Sequence, residues 1–417
     1  MELSIIVIGD ELLIGQVTDT NSGFIAREIA PEGWRVRDVH VVADDAEAIT
    51  SAIDRAFSQS RVVITTGGLG PTKDDITKEA LRSYFGGEME FRGDVLDNVR
   101  RVFDRRGLKL NPLTEAQAMV PTSARVIQNE VGTAPIMWFE DTVRECVLVA
   151  MPGVPFETER MFAKEVFPRL KAKFPSAEVV RHHTLMVDGI TESDLASLLA
   201  GFEESLPENL HLAYLPQPGL IRLRLDGSGR DAVELDALMA AKIAELKEII
   251  GERLLFDGDL TPERILLKEL TDRQLTVATA ESCTGGNIAH LITSIPGSSA
   301  AMMGGVVSYT NDVKHRVLGV SSESLERFGA VSIPVVEQMA EGARRVAAAD
   351  VAMATSGIAG PGGGSAEKPV GTVCIAVATP EGTVSDTFHF PGSRERVIER
   401  ASRTAMILAI RAIRRLK

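Results

Sequence analysis

The stretch Arg61-Val62-Val63-Ile64-Thr65-Thr66-Gly67-Gly68-Leu69-Gly70 decides the fold of the first half of the chain. After Arg61 it is continuously apolar or β-branched instead of alternating, the pattern of a strand buried on both faces. The glycines then end the strand, and the spacing predicts a helix from Ile76. The same grammar recurs on either side. Leu3 to Ile8 reads as a first strand, followed by a loop and a helix around Asn21 to Ile29. Val36 to Val42 reads as a second strand, with a helix over Asp45 to Phe57. Val147 to Ala150 reads as a further strand, ending at Pro152-Gly153-Val154-Pro155 before a helix from about Phe156. Such alternation predicts an α/β fold whose mainly parallel, doubly wound sheet carries helices on both faces.

Between residues 178 and 250 the grammar changes. A strand (Thr184 to Val187), a helix opened by Thr191-Glu192-Ser193, a hairpin tip at Pro216 to Gly219 and a helix over Ala232 to Ile250 predict a small α+β module. Residues 251–260 read as a linker, with Thr261-Pro262 opening the next helix. A second α/β domain is expected over 261–417, with strands at Thr276 to Thr279, Gly305 to Tyr309, Val351 to Ala354 and Gly371 to Ala378. The expected organisation is therefore two α/β domains, 1–175 and 261–417, joined by the module at 178–250.

Composition narrows the function classes. A net charge of −13 over 417 residues argues against a nucleic-acid backbone as the main partner. The Arg-rich stretch from Arg400 onward reads as the solvated face of a helix. No apolar run reaches the roughly 18 residues a membrane span needs, and no signal pattern opens the chain. Cys146, Cys283 and Cys374 have neither metal-ligand spacing nor an even disulfide count, so cytoplasmic residence is expected.

Two loop sets carry chemistry. Ala280-Glu281-Ser282-Cys283-Thr284-Gly285-Gly286 lies where a strand turns into a helix near Asn287. That position projects a side chain at the sheet end beside free backbone N–H groups. Ser282 there has what acyl transfer needs, although Ser282 or Thr284 could equally cap the helix. Lys314, in Ser308-Tyr309-Thr310-Asn311-Asp312-Val313-Lys314, could serve a serine as base if screened from water. Ser356-Gly357-Ile358-Ala359-Gly360-Pro361-Gly362-Gly363-Gly364 is dense in glycine, which suits main-chain amides against a phosphate or ribose. Arg394 and Arg396, at a helix start, could add a guanidinium to an anion.

In the first domain, Gly9-Asp10-Glu11 follows one strand and Thr66-Gly67-Gly68-Leu69-Gly70-Pro71-Thr72-Lys73-Asp74-Asp75 another. Both loops lie at strand carboxyl ends, where doubly wound sheets bind ligands. Gly67, Gly68 and Gly70, with Asn21, could hold phosphate or nucleotide. Asp10, Glu11, Asp74 and Asp75 could converge on a divalent cation, or the two later aspartates could cap the helix at Ile76.

The C-terminal segments, with Gly329-Ala330-Val331-Ser332 and Lys368-Pro369-Val370-Gly371-Thr372, resemble the nicotinamide mononucleotide deamidase family. That resemblance implies Ser282 as nucleophile, Tyr309 and Lys314 as its activators or proton relays, and substrate contacts from Thr284, Gly285, Gly286, Ser356, Gly357, Gly360 and Arg396, with no cofactor. The N-terminal loops resemble the MoaB-like, molybdopterin-binding domain. Together the two resemble the CinA family, whose N-terminal unit is implicated in ADP-ribose pyrophosphatase activity with a divalent metal ion and potassium, and whose middle module is KH-like. Residues 178–250 lack a Gly-x-x-Gly clamp, which speaks against RNA binding. The expected partners are small nucleotides, nicotinamide mononucleotide and ADP-ribose, in a homodimer. The rival readings are a pterin-binding or adenylating enzyme, a regulatory scaffold for competence or recombination, and an amidase for another carboxamide.

Overall fold

Strand β1 (Glu2–Ile8) is buried over all but its first residue, and its side chains divide between two cores. Leu3, Ile5 and Val7 pack with Ile25, Ile29 and Phe162, while Ile6 and Ile8 pack with Ile49, Ile53 and Leu81. A strand feeding two cores must have helices on both faces, as the continuous apolar runs predict. The computed structural model describes residues 1–72, 75–175, 179–217 and 219–416. The chain divides into two units, Met1–His182 with Gly227–Leu238, and His183–Asp226 with Met239–Lys417.

In the first unit, β2 (Arg35–Val42), β3 (Val62–Thr66), β4 (Met89–Phe91), β5 (Met119–Pro121), β6 (Arg125–Ile127), β7 (Ile136–Asp141) and β8 (Cys146–Met151) follow β1. The main sheet has the order β2-β1-β3-β8-β7-β6, and β4 pairs with β5 separately. The first four strands of the main sheet are parallel, and β7 and β6 extend it antiparallel. The chain leaves β1 to one side for β2 and to the other for β3. The carboxyl end of β1 is thus the switch point where such sheets open a crevice.

The middle segment forms a four-stranded sheet from β9 (Val179–Val187), β10 (Leu210–Gln217), β11 (Leu220–Gly229) and β12 (Leu254–Asp257), in the order β10-β11-β9-β12. Residues 251–260 are therefore not a linker. A 3₁₀ turn at Gly251–Arg253 leads directly into β12, which pairs antiparallel with β9. Nor is this module separate from the C-terminal half. Met186, Leu220 and Leu255 belong to one core with Ile265, Leu266, Ile288, Val351 and Ile410.

The C-terminal sheet comprises β13 (Val277–Glu281), β14 (Met302–Val307), β15 (Val351–Gly357), β16 (Thr372–Thr379) and β17 (Gly382–His389), in the order β14-β13-β15-β16-β17. β13 runs parallel to both neighbours, and β16 and β17 complete the sheet antiparallel. Helices Pro262–Asp272 and Arg394–Arg415 cover one face, and Ile333–Ala347 covers the other. Here β13 is the switch strand. No helix of the described residues is long and apolar enough to cross a membrane.

Candidate functional site

Glu281 ends β13, and the next residues turn into the helix Asn287–Thr293 through Gly285 and Gly286, both at positive φ. A positive φ is cheap only for glycine, so this pair permits the tight turn. The Ser282 N–H donates to Thr355 O (3.0 Å) on β15, which fixes Ser282 at the crevice. Its hydroxyl lies 3.0 Å from Lys314 Nζ. Lys314 sits on the helix Asn311–Arg316, which is capped by the Thr310 side chain, and it is 1% exposed. Its ammonium also donates to Ser308 O at 2.7 Å. No carboxylate pairs with it among the described residues, and burial pulls its pKa below the usual lysine range. The neighbouring Cys283 thiol is pushed up to about 12, first by burial and further by the Glu281 charge. A thiol so protonated is a poor nucleophile.

The turn's own N–H groups are mostly spoken for. The Glu281 carboxylate, 1% exposed, accepts from Gly286 N (3.0 Å), Ile288 N (3.0 Å), Ala289 N (2.9 Å) and the Thr284 hydroxyl (2.7 Å). Gly285 N and Asn287 N donate to Ser282 O and Thr284 O. Among the described residues, the N–H groups of Cys283 and Thr284 are the ones of this turn that donate to no other residue, the Cys283 N–H lying against its own thiol. The expectation of a helix end open to a ligand is corrected accordingly. The Thr284 side chain is likewise not free for a substrate: it is buried, and its hydroxyl bridges Glu281 and Thr355.

Several other expected residues take different places. Tyr309 makes no hydrogen bond to Ser282; its hydroxyl accepts from Arg394 Nη2 at 3.0 Å. Arg394 also donates to Gly360 O (2.8 Å), tying the glycine loop to the start of the last helix. Its positive charge also acts on the Cys283 thiol. Arg394 is thus a guanidinium joined to the site. Ser356 is buried and donates to Ala330 O at 2.6 Å. A Cβ on Gly357 would lie 2.7 Å from Val373, so this glycine is required by packing between β15 and β16. Gly360 is crowded by Val370, whereas Gly362 faces open space.

In the first unit, a cleft of about 630 Å³ opens at the carboxyl ends of β1 and β3. It is lined by Asp10, Glu11, Asn21, Gly67, Gly68, Gly70 and Asp75, so the two loops do converge. Asp74 lies outside the described residues. The glycines are explained largely by packing. A Cβ on Gly67 would collide with Ile8 O, and one on Gly68 with the Thr77 side chain. Gly67 N already donates to Met151 O, and Gly70 N to Asp75. Asp75 also accepts from Thr72 N (2.9 Å), so it braces the loop and does not cap the following helix. Asn21 donates to Gly153 O at 2.9 Å and keeps a buried amide oxygen without a partner among the described residues.

Sequence reading missed Asp44, which also lines this cleft. Asp10 N donates to Asp44 Oδ2 at 3.1 Å. Burial raises the Asp44 pKa; the hydrogen bond from Asp10 N opposes this, and the charges of Asp10, Glu11 and Asp75 raise it further. Among the described residues, no group of three or more His, Cys, Asp or Glu is arranged to hold a metal ion.

Comparison with known proteins covers the chain end to end. A CinA-like protein of Flavobacterium psychrophilum is 41% identical over 415 residues, which are 99% of each chain. The chain belongs to the CinA family. A CinA-like protein of Gemmatimonas aurantiaca is 40% identical over 417 residues, 100% of this chain and 97% of the relative. The family model for the CinA C-terminal domain matches residues 260–413, and that for the damage-inducible protein CinA KH domain matches 182–254. The "Probable molybdopterin binding domain" model matches 4–172. Among solved structures, the competence/damage inducible protein CihA from Agrobacterium tumefaciens is 42% identical; the match covers 38% of this chain and 99% of that one, with a TM-score of 0.36. The CinA assignment spans all three modules, and the MoaB-like resemblance of the first extends from β1 past β8.

Proposed function

We propose that the C-terminal half of the chain is an amidohydrolase that converts nicotinamide mononucleotide and water to nicotinate mononucleotide and ammonia. The observation that carries this reading is the 3.0 Å contact between Ser282 Oγ and a buried lysine that has no carboxylate partner among the described residues. Desolvation makes the neutral amine accessible, and a neutral Lys314 can accept the serine proton that its ammonium form cannot. As Ser282 Oγ bonds to the carboxamide carbon, its proton passes to Lys314 Nζ, and the carbonyl π electrons move onto oxygen. The N–H groups of Cys283 and Thr284 are suited to receive that oxyanion. Collapse of the adduct breaks the C–N bond, Lys314 returns the proton to the departing nitrogen, and ammonia leaves. Water then repeats the sequence on the acyl-serine ester and frees the carboxylate. Arg394, held by Tyr309 and Gly360, suits the phosphate of the nucleotide. The test is to incubate the protein with nicotinamide mononucleotide and identify the products. Absence of nicotinate mononucleotide, with Ser282 intact and the protein folded, would remove the reading.

The carboxylates of Asp10, Glu11, Asp44 and Asp75 around one cleft favour a second, metal-assisted site in the first unit. Asp10 and Asp44 fit a magnesium-type ion, which takes one or two carboxylates and completes its shell with water and substrate phosphate. Such an ion would neutralise pyrophosphate oxygens, consistent with ADP-ribose hydrolysis to AMP and ribose 5-phosphate. The chain's own contributions would be the cleft beside Asn21, the braced glycine loop, and carboxylates whose mutual repulsion a cation relieves.

A further inference from the structure

The Glu281 carboxylate is the most heavily engaged acidic group near Ser282, and nothing in the chemistry above uses it. Burying a charged carboxylate costs several kcal/mol unless its oxygens are satisfied. Glu281 meets that condition inside its own turn. Oε2 accepts from Gly286 N, Ile288 N and the Thr284 hydroxyl, and Oε1 accepts from Ala289 N. Three main-chain donors that a helix start ordinarily offers to a bound anion are thereby closed. Its main chain is engaged as well: Glu281 O accepts from Ser308 N at 2.8 Å, and Ser308 O in turn accepts from Lys314 Nζ. One residue is therefore linked to both halves of the serine–lysine pair, to Ser282 through the chain and to Lys314 through Ser308, without touching either reacting atom.

We propose that Glu281 is a positioning residue for the Ser282 reaction, its carboxylate clamping the turn so that the N–H groups of Cys283 and Thr284 remain as the open donors for an oxyanion. This rests on the reading of Ser282 as nucleophile. It also has a consequence for substrate recognition. With the helix end filled by a carboxylate, the substrate's anionic group is excluded from that end and is left to Arg394. Thr284 belongs to the same clamp, which is why its hydroxyl is buried between Glu281 and Thr355.

The experiment reads the nucleophile directly and needs no assumption about the substrate. Full-length protein is treated with phenylmethanesulfonyl fluoride, and the rate of Ser282 sulfonylation is followed by intact mass and peptide mapping. Wild type, Glu281→Gln, Glu281→Ala and Thr284→Val are compared, each checked for folding by circular dichroism. Glu281→Gln, which keeps the shape but sets an NH₂ against an N–H donor, is expected to slow labelling about 10-fold or more, a part of the roughly 10²–10³-fold that outright removal of an oxyanion donor costs. Glu281→Ala should be slow as well, and added formate, a carboxylate small enough for the vacated place, should restore its rate saturably. Thr284→Val, which removes one of the four donors, should fall between wild type and Glu281→Gln. With nicotinamide mononucleotide as substrate, the loss should appear in kcat with KM nearly unchanged. A folded Glu281→Gln that labels at the wild-type rate overturns the proposal, as does a Glu281→Ala that formate leaves unchanged. If wild type labels at Ser282 but releases no ammonia from nicotinamide mononucleotide, the substrate assignment fails while the role of Glu281 is still decided. A wild type unlabelled at Ser282 overturns both.

Discussion

Replacing Lys314 by Met separates what this residue does for chemistry from what it costs the fold. In the folded protein the ammonium is buried, lacks a carboxylate partner among the described residues, and is held by Ser282 Oγ at 3.0 Å and Ser308 O at 2.7 Å. Desolvating an ammonium costs several kcal/mol, and hydrogen bonds from a charged donor return about 1.5–3 kcal/mol each. The two nearly cancel, so a methionine of similar length should leave stability unchanged or raise it by about 1 kcal/mol. Activity should behave oppositely. Loss of a general base costs about 10²–10⁴-fold, which is roughly 2.7–5.5 kcal/mol of transition-state stabilisation. The pH dependence comes from the depressed pKa. Between the folded-state pKa and the ordinary lysine value, the unfolded chain binds more protons, so wild-type stability rises with pH through that window. The advantage of Lys314→Met should therefore be full below the folded-state pKa and vanish as pH rises past about 10.4. Urea melts at pH 7 and above 10, with kcat/KM for nicotinamide mononucleotide on the same preparations, measure both effects. A variant within 10-fold of wild-type activity, or one destabilised by more than about 3 kcal/mol at neutral pH, would refute the reasoning.

The same geometry sets other outcomes. Ser282→Ala should abolish ammonia release while remaining folded, whereas Cys283→Ala, with its thiol near 12, should stay within about threefold of wild type; the reverse result would make the mechanism thiol-based. Chelation by EDTA should stop ADP-ribose hydrolysis and spare deamidation, and equal loss of both would contradict two separate sites. Because the Asp44 carboxyl is raised, metal affinity at the first-unit cleft should strengthen as pH climbs through that raised value, and Asp44→Asn should abolish the pH dependence in a titration by calorimetry. A fragment starting at Thr261 should be less stable than one starting at His183. It gives up Met186, Leu220 and Leu255 from the shared core, worth up to about 5–9 kcal/mol. It also loses the pairing of Arg411 with the buried Asp188. Equal urea midpoints for the two fragments would show that the core does not bind the modules.

The doubly wound sheets were legible because a parallel strand writes itself as an unbroken apolar run; Val62 to Ile64 and Val147 to Ala150 are examples, each followed by a glycine- or proline-marked turn. The serine turn and the lysine were legible as residue types at strand ends. What periodicity cannot supply is the partner of each group across the fold. Glu281 reads as an ordinary acidic residue until its carboxylate is found folded back on the helix start. Asp44 sits beside Asp45, a helix cap by its bond from Ala48 N, and the pair reads as one capping signal. Glycines are ambiguous in the same way. Gly357 and Gly67 are forced by neighbouring backbone and side chains, yet in sequence they look identical to Gly362, which faces open space. The supposed linker failed for a related reason: Leu254-Leu255-Phe256 is too short to announce a strand, and β9, its pairing partner, lies far upstream.

The core shared by the middle segment and the C-terminal half also sets an order of events during synthesis. Met186 and Leu220 leave the ribosome long before Ile407, Ile410 and Ile413, the residues against which their core closes. At ~5–20 residues per second, that interval is on the order of 10–40 s. The strands of the first unit's main sheet all lie upstream of residue 152, so that sheet can form while the rest is still being made. The segment from His183 to Asp226 must meanwhile wait with its apolar side chains uncovered. A nascent chain stalled before Arg394 should present that waiting surface to chaperones, and one stalled in the same way after Ile413 has emerged should not.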